Sequence, residues 1–167
     1  MRLRVTIGVL FWLAAGQSLA GFTPAAPRSP APDPGATPPG LVAGFPTGQA
    51  VLETRGPRCL LLDVYFATTG EQRTRGLMFV EFLPKFSGMY FGYSAPAELT
   101  MWMKNTLLSL DMVFVRVDGT VSRILPDAVP LSTDLISSGG PVAGVLELNA
   151  GFARRWRVEP GTRLLFF

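Results

Sequence analysis

The chain of 167 residues contains no histidine and one cysteine, Cys59. Histidine is the commonest general base at neutral pH and the commonest metal ligand, so its absence excludes histidine-based catalytic triads and the two-histidine zinc motif. One cysteine cannot form a disulfide within the chain, and because Cys59 begins an apolar run we expect a buried, unreactive thiol. The methionines are scattered through separate predicted strands, which favours packing over a copper(I) site. The sequence therefore predicts no cofactor and no bound metal.

Long apolar segments are also missing, since the first apolar run is well short of the roughly 20 residues that a membrane-spanning helix needs. Residues 1–20 instead have the pattern of a secretory signal peptide, with Arg2 and Arg4 before the apolar run and Ser18-Leu19-Ala20 as a cleavage site. The sequence predicts a mature chain that begins at Gly21, is periplasmic or secreted, and has no membrane span.

Excess charge is lacking once the signal is removed. The full sequence has 15 basic and 12 acidic residues, and the loss of Arg2 and Arg4 leaves a net charge of +1. Such a chain has no electrostatic footprint for nucleic acid, so no nucleic-acid partner is expected.

Residues 21–46 are rich in proline, alanine and glycine and predict a disordered tether. Residues 47–167 have the right length for a single domain with its own core.

Short apolar runs separated by turn residues fill this last segment and indicate a mainly β fold. The predicted strands are Leu60–Thr68, Ser87–Tyr93, Leu99–Met103, Met112–Val117, Thr120–Leu125, Val142–Leu148 and Thr162–Phe167. Thr69 and Gln72 match the capping box of a short helix that Gly76 can end, and Asn149 can cap a second helical turn, Ala150–Trp156. We predict one compact β-sandwich or barrel-like domain with two short helices.

Asp118-Gly119 lies between two apolar runs and is a strong signal for a two-residue hairpin link. The cross-strand pairs expected from this link are Val113 with Ile124, Val115 with Ser122, and Val117 with Thr120. These three valines are expected to face the core. Residues 126–141, with a proline at each end, predict a long loop.

Three blocks of sequence together resemble domain-of-unknown-function family 192, also called uncharacterised protein family 0127. The blocks are Glu71–Phe79, Trp102–Gly119 with its Lys-Asn-Thr and Leu-Asp motifs, and Val145–Gly151. The resemblance covers about residues 49–167, and the combined order and spacing are much more specific than any one block. It implies a compact, mainly β domain, often exported, with no established biochemical activity.

Three carboxylates, Asp63, Asp111 and Glu147, lie inside or at the edge of apolar strands. An ionised group in such a place is costly unless it is paired or hydrogen-bonded. The expected partners are Arg73, Arg75, Lys104 and Asn105. In one interpretation Asp111 caps the turn before its strand and Glu147 pairs with an arginine, which makes both structural. In the other, the carboxylates form part of a ligand-binding cluster.

Trp102 alternates with Lys104 on one strand face, while Met101 and Met103 occupy the other. Tryptophan in a strand is often core, but beside lysine and asparagine it can also stack on a sugar or aromatic ring. The candidate ligand-binding residues are Arg75, Trp102, Lys104, Asn105, Asp111 and Glu147.

Two functions follow from these candidates. The first is a small-ligand-binding or accessory module of the cell envelope, whose partner is a small polar or carbohydrate-like ligand or another envelope protein reached by the tether. The alternative is a glycosidase-like hydrolase acting on an envelope carbohydrate. It requires two carboxyl groups about 5 to 10 Å apart.

Overall fold

The structure, a computed structural model, describes residues 44–54 and 59–167. The predicted signal peptide and residues 21–43 of the predicted tether lie outside the described residues. The elements are β1 (Thr47–Glu53), β2 (Cys59–Ala67), α1 (Gly70–Arg75), β3 (Ser87–Met101), β4 (Leu110–Val115), β5 (Val121–Ala128), β6 (Ile136–Asn149), α2 (Phe152–Trp156) and β7 (Arg163–Phe166). Neither of these two helices has the length and apolar character needed to cross a membrane.

The seven strands form one sheet in the order β5-β4-β6-β3-β2-β1-β7. Neighbours are antiparallel except β2 and β3, which are parallel. The sheet curls until its two outer strands meet at one end, where Val121 N–H donates to the Thr162 carbonyl and Leu164 N–H to the Gly119 carbonyl, both at 2.8 Å. This half-barrel with two short helices confirms the predicted mainly β, barrel-like single domain.

Apolar side chains cover both faces of the sheet, because successive residues of a strand point to opposite sides. On one face, Leu146 and Leu148 of β6 join an apolar cluster that α2 covers with Phe152; we call it the α2 cluster. On the other face lies a second group, the methionine cluster. Its members include Leu77, Val80, Leu83, Met89, Met101, Met103, Met112 and Val145. Met89, Met101, Met103 and Met112 are therefore packing residues, as their scatter predicted, whereas Met78 is only partly buried.

Two predicted loops are partly strand. The loop expected between Tyr93 and Leu99 lies within the single strand β3, which stays paired to β6 through register shifts between Gly92 and Ala97 and between Glu98 and Thr100. Residues 126–141 were expected to be a loop, but β5 runs to Ala128 and β6 begins at Ile136. In both places pairing between distant segments overrides the local turn residues.

The hairpin between β4 and β5 has the predicted pairing of Val113 with Ile124, but its turn is longer than expected. Arg116 N–H donates to the Thr120 carbonyl at 2.8 Å, which leaves three residues in the loop. Gly119 has φ 80°, as the last position of such a loop requires. The extra residue shifts Val115 opposite Val121 instead of Ser122, and Val117 is 77% exposed instead of facing the core.

Cys59 corrects another expectation, since it is exposed at the start of β2 and not buried. The following residue, Leu60, is buried in the α2 cluster. Alternation along the strand therefore turns the thiol outward, which an apolar run by itself does not reveal.

Candidate functional site

A concave pocket of about 270 Å³ opens between α1, β3 and the last residues of β6. We call it the Glu147 pocket. Its lining residues are Gly70, Arg73, Thr74, Arg75, Gly76, Leu77, Met78, Phe91, Tyr93, Thr100, Met101, Trp102, Lys104, Thr106 and Glu147. Four of the six candidate residues therefore line one cavity, namely Arg75, Trp102, Lys104 and Glu147.

Helix α1 forms one wall because its sequence fixes both of its ends. The predicted capping box is present, with Gln72 N–H donating to Thr69 Oγ1 at 3.2 Å and Thr69 N–H to Gln72 Oε1 at 3.1 Å. The helix ends at Gly76, whose φ is 47°. A Cβ at Gly76 would lie 2.9 Å from the Phe91 ring, so glycine lets the end of α1 rest directly on β3.

Arg73 fastens this wall to the sheet. Its Nη1 donates to the Thr68 carbonyl at 2.5 Å and to the Gly92 carbonyl at 3.0 Å, and its guanidinium lies 4.7 Å from the centre of the Tyr93 ring. Burial raises the pKa of the Tyr93 phenol, the charge of Arg73 lowers it, and Glu147 raises it. The cation of Arg73 and the carboxyl of Glu147 therefore both act on the same aromatic ring inside the pocket.

Sequence reasoning did not include Arg73 or Tyr93 among the site residues. The carbonyls that hold Arg73 follow the ends of the pairing between the parallel strands β2 and β3, where Ala67 lies opposite Phe91. The two strands were predicted, but nothing local showed that they are parallel neighbours. The available signal was the position of Arg73 two residues before Arg75 in the same short helix.

Glu147 lies in the centre of the sheet, opposite Met89 on β3 and Met112 on β4, and is 4% exposed. It makes no hydrogen bond or ion pair with any residue in the described ranges 44–54 and 59–167. Within these ranges no arginine therefore pairs with Glu147, in contrast to the first interpretation of the sequence. Desolvation by burial raises its pKa from 4.5 to about 8, so the neutral acid predominates at pH 7.

Trp102 and Lys104 are exposed, follow directly after β3 and form the rim of the pocket. Trp102 is 43% exposed, and Lys104 Nζ lies 5.5 Å from the centre of its ring. Met101 and Met103 are buried in the methionine cluster, and Met101 also lines the floor of the pocket. The predicted alternation is thus confirmed, and it leaves an aromatic face and a cation side by side at the pocket mouth.

Asn105 lies beside the pocket without lining it. Its backbone has φ 57°, a conformation that asparagine tolerates better than most residues, and its carbonyl accepts from Phe79 N–H at 2.9 Å. Its side-chain Nδ2 lies 3.8 Å from the sulfur of Met78, which does line the pocket. The backbone conformation of Asn105 therefore fixes the turn that follows the rim residues Trp102 and Lys104.

Asp111 lies away from the pocket, on the α2 side of the sheet. Its fully buried carboxylate accepts from the N–H groups of Asp127 at 2.9 Å, Gly151 at 3.1 Å and Ala153 at 2.8 Å. It thereby caps the start of α2, the role that the sequence assigned to Asn149. Asn149 instead donates from Nδ2 to the carbonyls of Leu83 and Pro84.

Asp63, the third predicted carboxylate, is exposed on β2 and accepts a hydrogen bond of 3.3 Å from Gln49 Nε2. Glu147 is the one acidic residue among those lining the pocket. The structure therefore does not bring two carboxylates together at this site. In the described residues there is also no group of three or more histidine, cysteine, aspartate or glutamate side chains placed to hold a metal ion.

Comparison with protein families identifies the chain. The family model for DUF192, described as "Uncharacterized ACR", matches residues 50–166. The chain belongs to the DUF192 family. The match spans α1, the Glu147 pocket and every described strand except the first residues of β1, which confirms the resemblance found in the sequence. No curated protein matches the chain significantly.

Two solved structures share this fold. A protein of Sinorhizobium meliloti 1021, described as a candidate transcription regulator, is 41% identical with a TM-score of 0.73, and the match covers 74% of this chain and 96% of that one. A protein of unknown function from Novosphingobium aromaticivorans is 32% identical with a TM-score of 0.71, and the match covers 79% of this chain and 94% of that one. Both are similar over nearly their whole length.

Proposed function

We propose that this DUF192 chain is an exported module of the cell envelope that binds a small polar ligand in the Glu147 pocket. The observation that carries this proposal is the convergence of Arg75, Trp102, Lys104 and Glu147 on one cavity. They come from a helix, a strand end and the centre of the sheet, and purely structural roles do not require these residues to meet. A concave pocket with a few convergent polar groups and a perturbed pKa is typical of a binding site.

The chemistry of the lining supports recognition more than catalysis. Trp102 offers an exposed aromatic face for stacking, and Lys104 beside it offers a charge. Glu147 offers a buried carboxyl group in the same cavity. A glycosidase-like reaction needs a second carboxyl nearby, and the lining contains none. The volume of about 270 Å³ suits a ligand of roughly the size of a monosaccharide.

Binding is tested by screening small polar compounds, including sugars, sugar phosphates and amino acids, against the mature chain by thermal shift and then by calorimetry. We expect at least one compound to raise the melting temperature of the native chain and to lose affinity in Trp102→Ala. Val117→Ala is the matched control, because Val117 is an exposed apolar residue in the β4–β5 turn and does not line the pocket. Ligand shifts that are equal in both variants, or no shift in the native chain, would contradict the proposal.

Export is supported by residues 1–20 alone and needs its own test. When the full chain is expressed in a bacterial host, we expect the protein in the periplasmic or secreted fraction, with a mass that corresponds to a chain starting at Gly21. Replacement of Ala20 by a bulky residue such as Tyr should block cleavage and leave the longer chain. Recovery of the uncleaved chain in the cytoplasm would contradict export.

A further inference from the structure

A second cavity, of about 350 Å³, is lined by the segment before β3 and by helix α2 with the residues that lead into it. We call it the Trp156 cavity. It shares no lining residue with the Glu147 pocket. Its apolar surface comes mainly from Phe82, Leu83, Phe152 and Trp156, and this surface makes up most of the lining. The cavity therefore suits a molecule with an apolar body.

The cavity is open because the residues that lead into α2 are small. Ala150 and Gly151 lie between β6 and α2, and a Cβ at Gly151 would come within 4 Å of one atom only, Arg154 Nη2 at 3.4 Å. Asn149 joins the two lining segments, since its Nδ2 donates to the carbonyls of Leu83 at 3.0 Å and Pro84 at 3.1 Å. The two segments are thus held together while space remains beside Gly151.

The aromatic rings of the cavity differ in how they are held. Trp156 is half-buried, and its ring centre lies 6.2 Å from that of Phe152 and 5.4 Å from that of Phe86. Its Nε1 is buried without a hydrogen-bond partner in the described part of the chain, so packing on these rings sets its position. Phe82, in contrast, is 39% exposed and belongs to neither apolar cluster. Its ring is available to a molecule in the cavity.

Two cations lie near the same indole ring. Lys85 Nζ is 5.7 Å and Arg155 Cζ is 5.6 Å from the centre of the Trp156 ring. Both residues are exposed, and neither forms an ion pair with a residue in the ranges 44–54 and 59–167. No acidic side chain of the described residues lines the cavity. An anionic group beside this ring would therefore meet two positive charges next to an apolar wall.

We propose that the Trp156 cavity is a second binding site, whose ligand is a small organic anion with an alkyl or aromatic body. The body packs against Phe82 and Phe152, and the anionic group meets Lys85 and Arg155. Both side chains would repel a cation, and a neutral apolar molecule would gain nothing from either charge. This site is separate from the one proposed for a small polar ligand in the Glu147 pocket, so either proposal can fail without the other.

The experiment measures the binding of octanoate, octanamide and acetate to the mature chain by calorimetry, at pH 7 and below the concentration at which octanoate forms micelles. Octanoate supplies both the charge and the apolar body, octanamide the body alone, and acetate the charge alone. We expect octanoate to bind about tenfold or more tightly than either of the others. If octanamide binds as tightly, the charge recognition is wrong; if octanoate does not bind, there is no such site.

Three variants locate the site. Arg155→Gln and Lys85→Gln should each weaken octanoate about fivefold and hardly affect octanamide, whereas Phe82→Ala should weaken both compounds. Arg154→Gln is the matched control, because it removes the same charge from the neighbouring residue of α2, which does not line the cavity. All four residues are exposed, so the variants should fold, and thermal unfolding checks this. Octanoate affinity that is the same in the native chain and in all three variants would overturn the proposal.

A lipid surface is the other occupant to be tested. Phe82 and Phe86 are 39% and 37% exposed beside Lys85, and aromatic rings next to cations also occur on surfaces that bind anionic lipid. The mature chain is therefore sedimented with vesicles of phosphatidylcholine and phosphatidylglycerol, and we expect it to remain in the supernatant. Sedimentation that Lys85→Gln and Phe82→Ala abolish would show that this surface meets lipid, and the small-anion site would be wrong.

Discussion

Asp111 and Glu147 lie on neighbouring strands and face opposite sides of the same sheet. Met112 is the residue paired with Glu147, whereas Asp111 is paired with Leu148. The buried carboxylate of Asp111 accepts three backbone hydrogen bonds, and that of Glu147 makes none with a described residue. Two acids that look equivalent in the sequence therefore lie in different surroundings, since backbone N–H groups satisfy Asp111 while Glu147 lines the pocket.

Replacement of Asp111 should destabilise the fold. Asp111→Ala leaves three backbone N–H groups without their acceptor, and we expect the free energy of unfolding to fall by about 3 kcal/mol in urea denaturation. Asp111→Asn keeps one acceptor oxygen and should cost less. Asp134→Ala, at an exposed loop position, is the control and should change stability by less than about 0.5 kcal/mol. Equal losses in Asp111→Ala and the control would refute the capping role.

Stability should depend on pH through Glu147. Its pKa is raised from 4.5 to about 8 on folding, so the folded chain holds this proton more tightly than the unfolded chain. The contribution of Glu147 to the free energy of unfolding should therefore be largest below pH 4.5 and decrease by up to about 1.4 kcal/mol per pH unit between pH 4.5 and 8. No further loss from this group is expected above that range.

Glu147→Gln isolates this contribution, because the amide has nearly the same shape and does not ionise. Near pH 5 the variant and the native chain should have similar stability, and at pH 9 the variant should be the more stable of the two. Denaturant unfolding of the native chain and of the variant at pH 5, 7 and 9 measures these free energies of unfolding. Parallel pH curves for the two proteins would show that Glu147 ionises normally in the folded state.

Gly88 should not accept a side chain. A Cβ there would lie 2.7 Å from the Glu147 carbonyl oxygen and 2.8 Å from Leu148 Cδ2, so β3 and β6 would have to separate beside the pocket. We expect Gly88→Ala to lower stability by about 2 kcal/mol or more. Gly70→Ala is the matched control, because a Cβ at Gly70 meets nothing within 4 Å and alanine favours the helix start. Thermal unfolding of the two variants should give shifts of opposite sign or very different size.

Cys59 should react with a thiol reagent in the native state, because the side chain is exposed at the start of β2. As the only thiol in the chain, it gives an unambiguous count of one label per molecule. Labelling in native buffer is compared with labelling in denaturant. Native labelling that is slower by orders of magnitude would show that the thiol is buried, as the apolar run alone had predicted.

Features that depend on neighbouring residues were predictable from the sequence. The capping box of Thr69 and Gln72, the pairing of Val113 with Ile124 and the alternation around Trp102 each rest on a few adjacent residues. Family membership, a mainly β fold and four of the pocket residues followed from such patterns and from the resemblance. The untested part is the ligand, which no local pattern identifies.

Features that depend on distant pairing were not predictable in the same way. The parallel contact of β2 with β3 places Thr68 near Gly92. The side chain that caps α2, Asp111, belongs to β4, which is distant in the sequence. The extension of β6 back to Ile136 likewise depends on β3 as its partner. In each case the energy comes from contacts between segments far apart in the chain, which override the preference of the local residues.

The attachment of Arg73 to Thr68 and Gly92 has a thermodynamic consequence for recognition. One side chain bonds the residue after the end of β2 and a residue within β3, while its own helix carries Arg75 toward the same cavity. Under the proposed function, this attachment orders the cavity wall before a ligand arrives, so that binding would cost little conformational entropy. A small molecule that makes only a few contacts can then be held usefully tightly, since preorganisation removes much of the penalty of association.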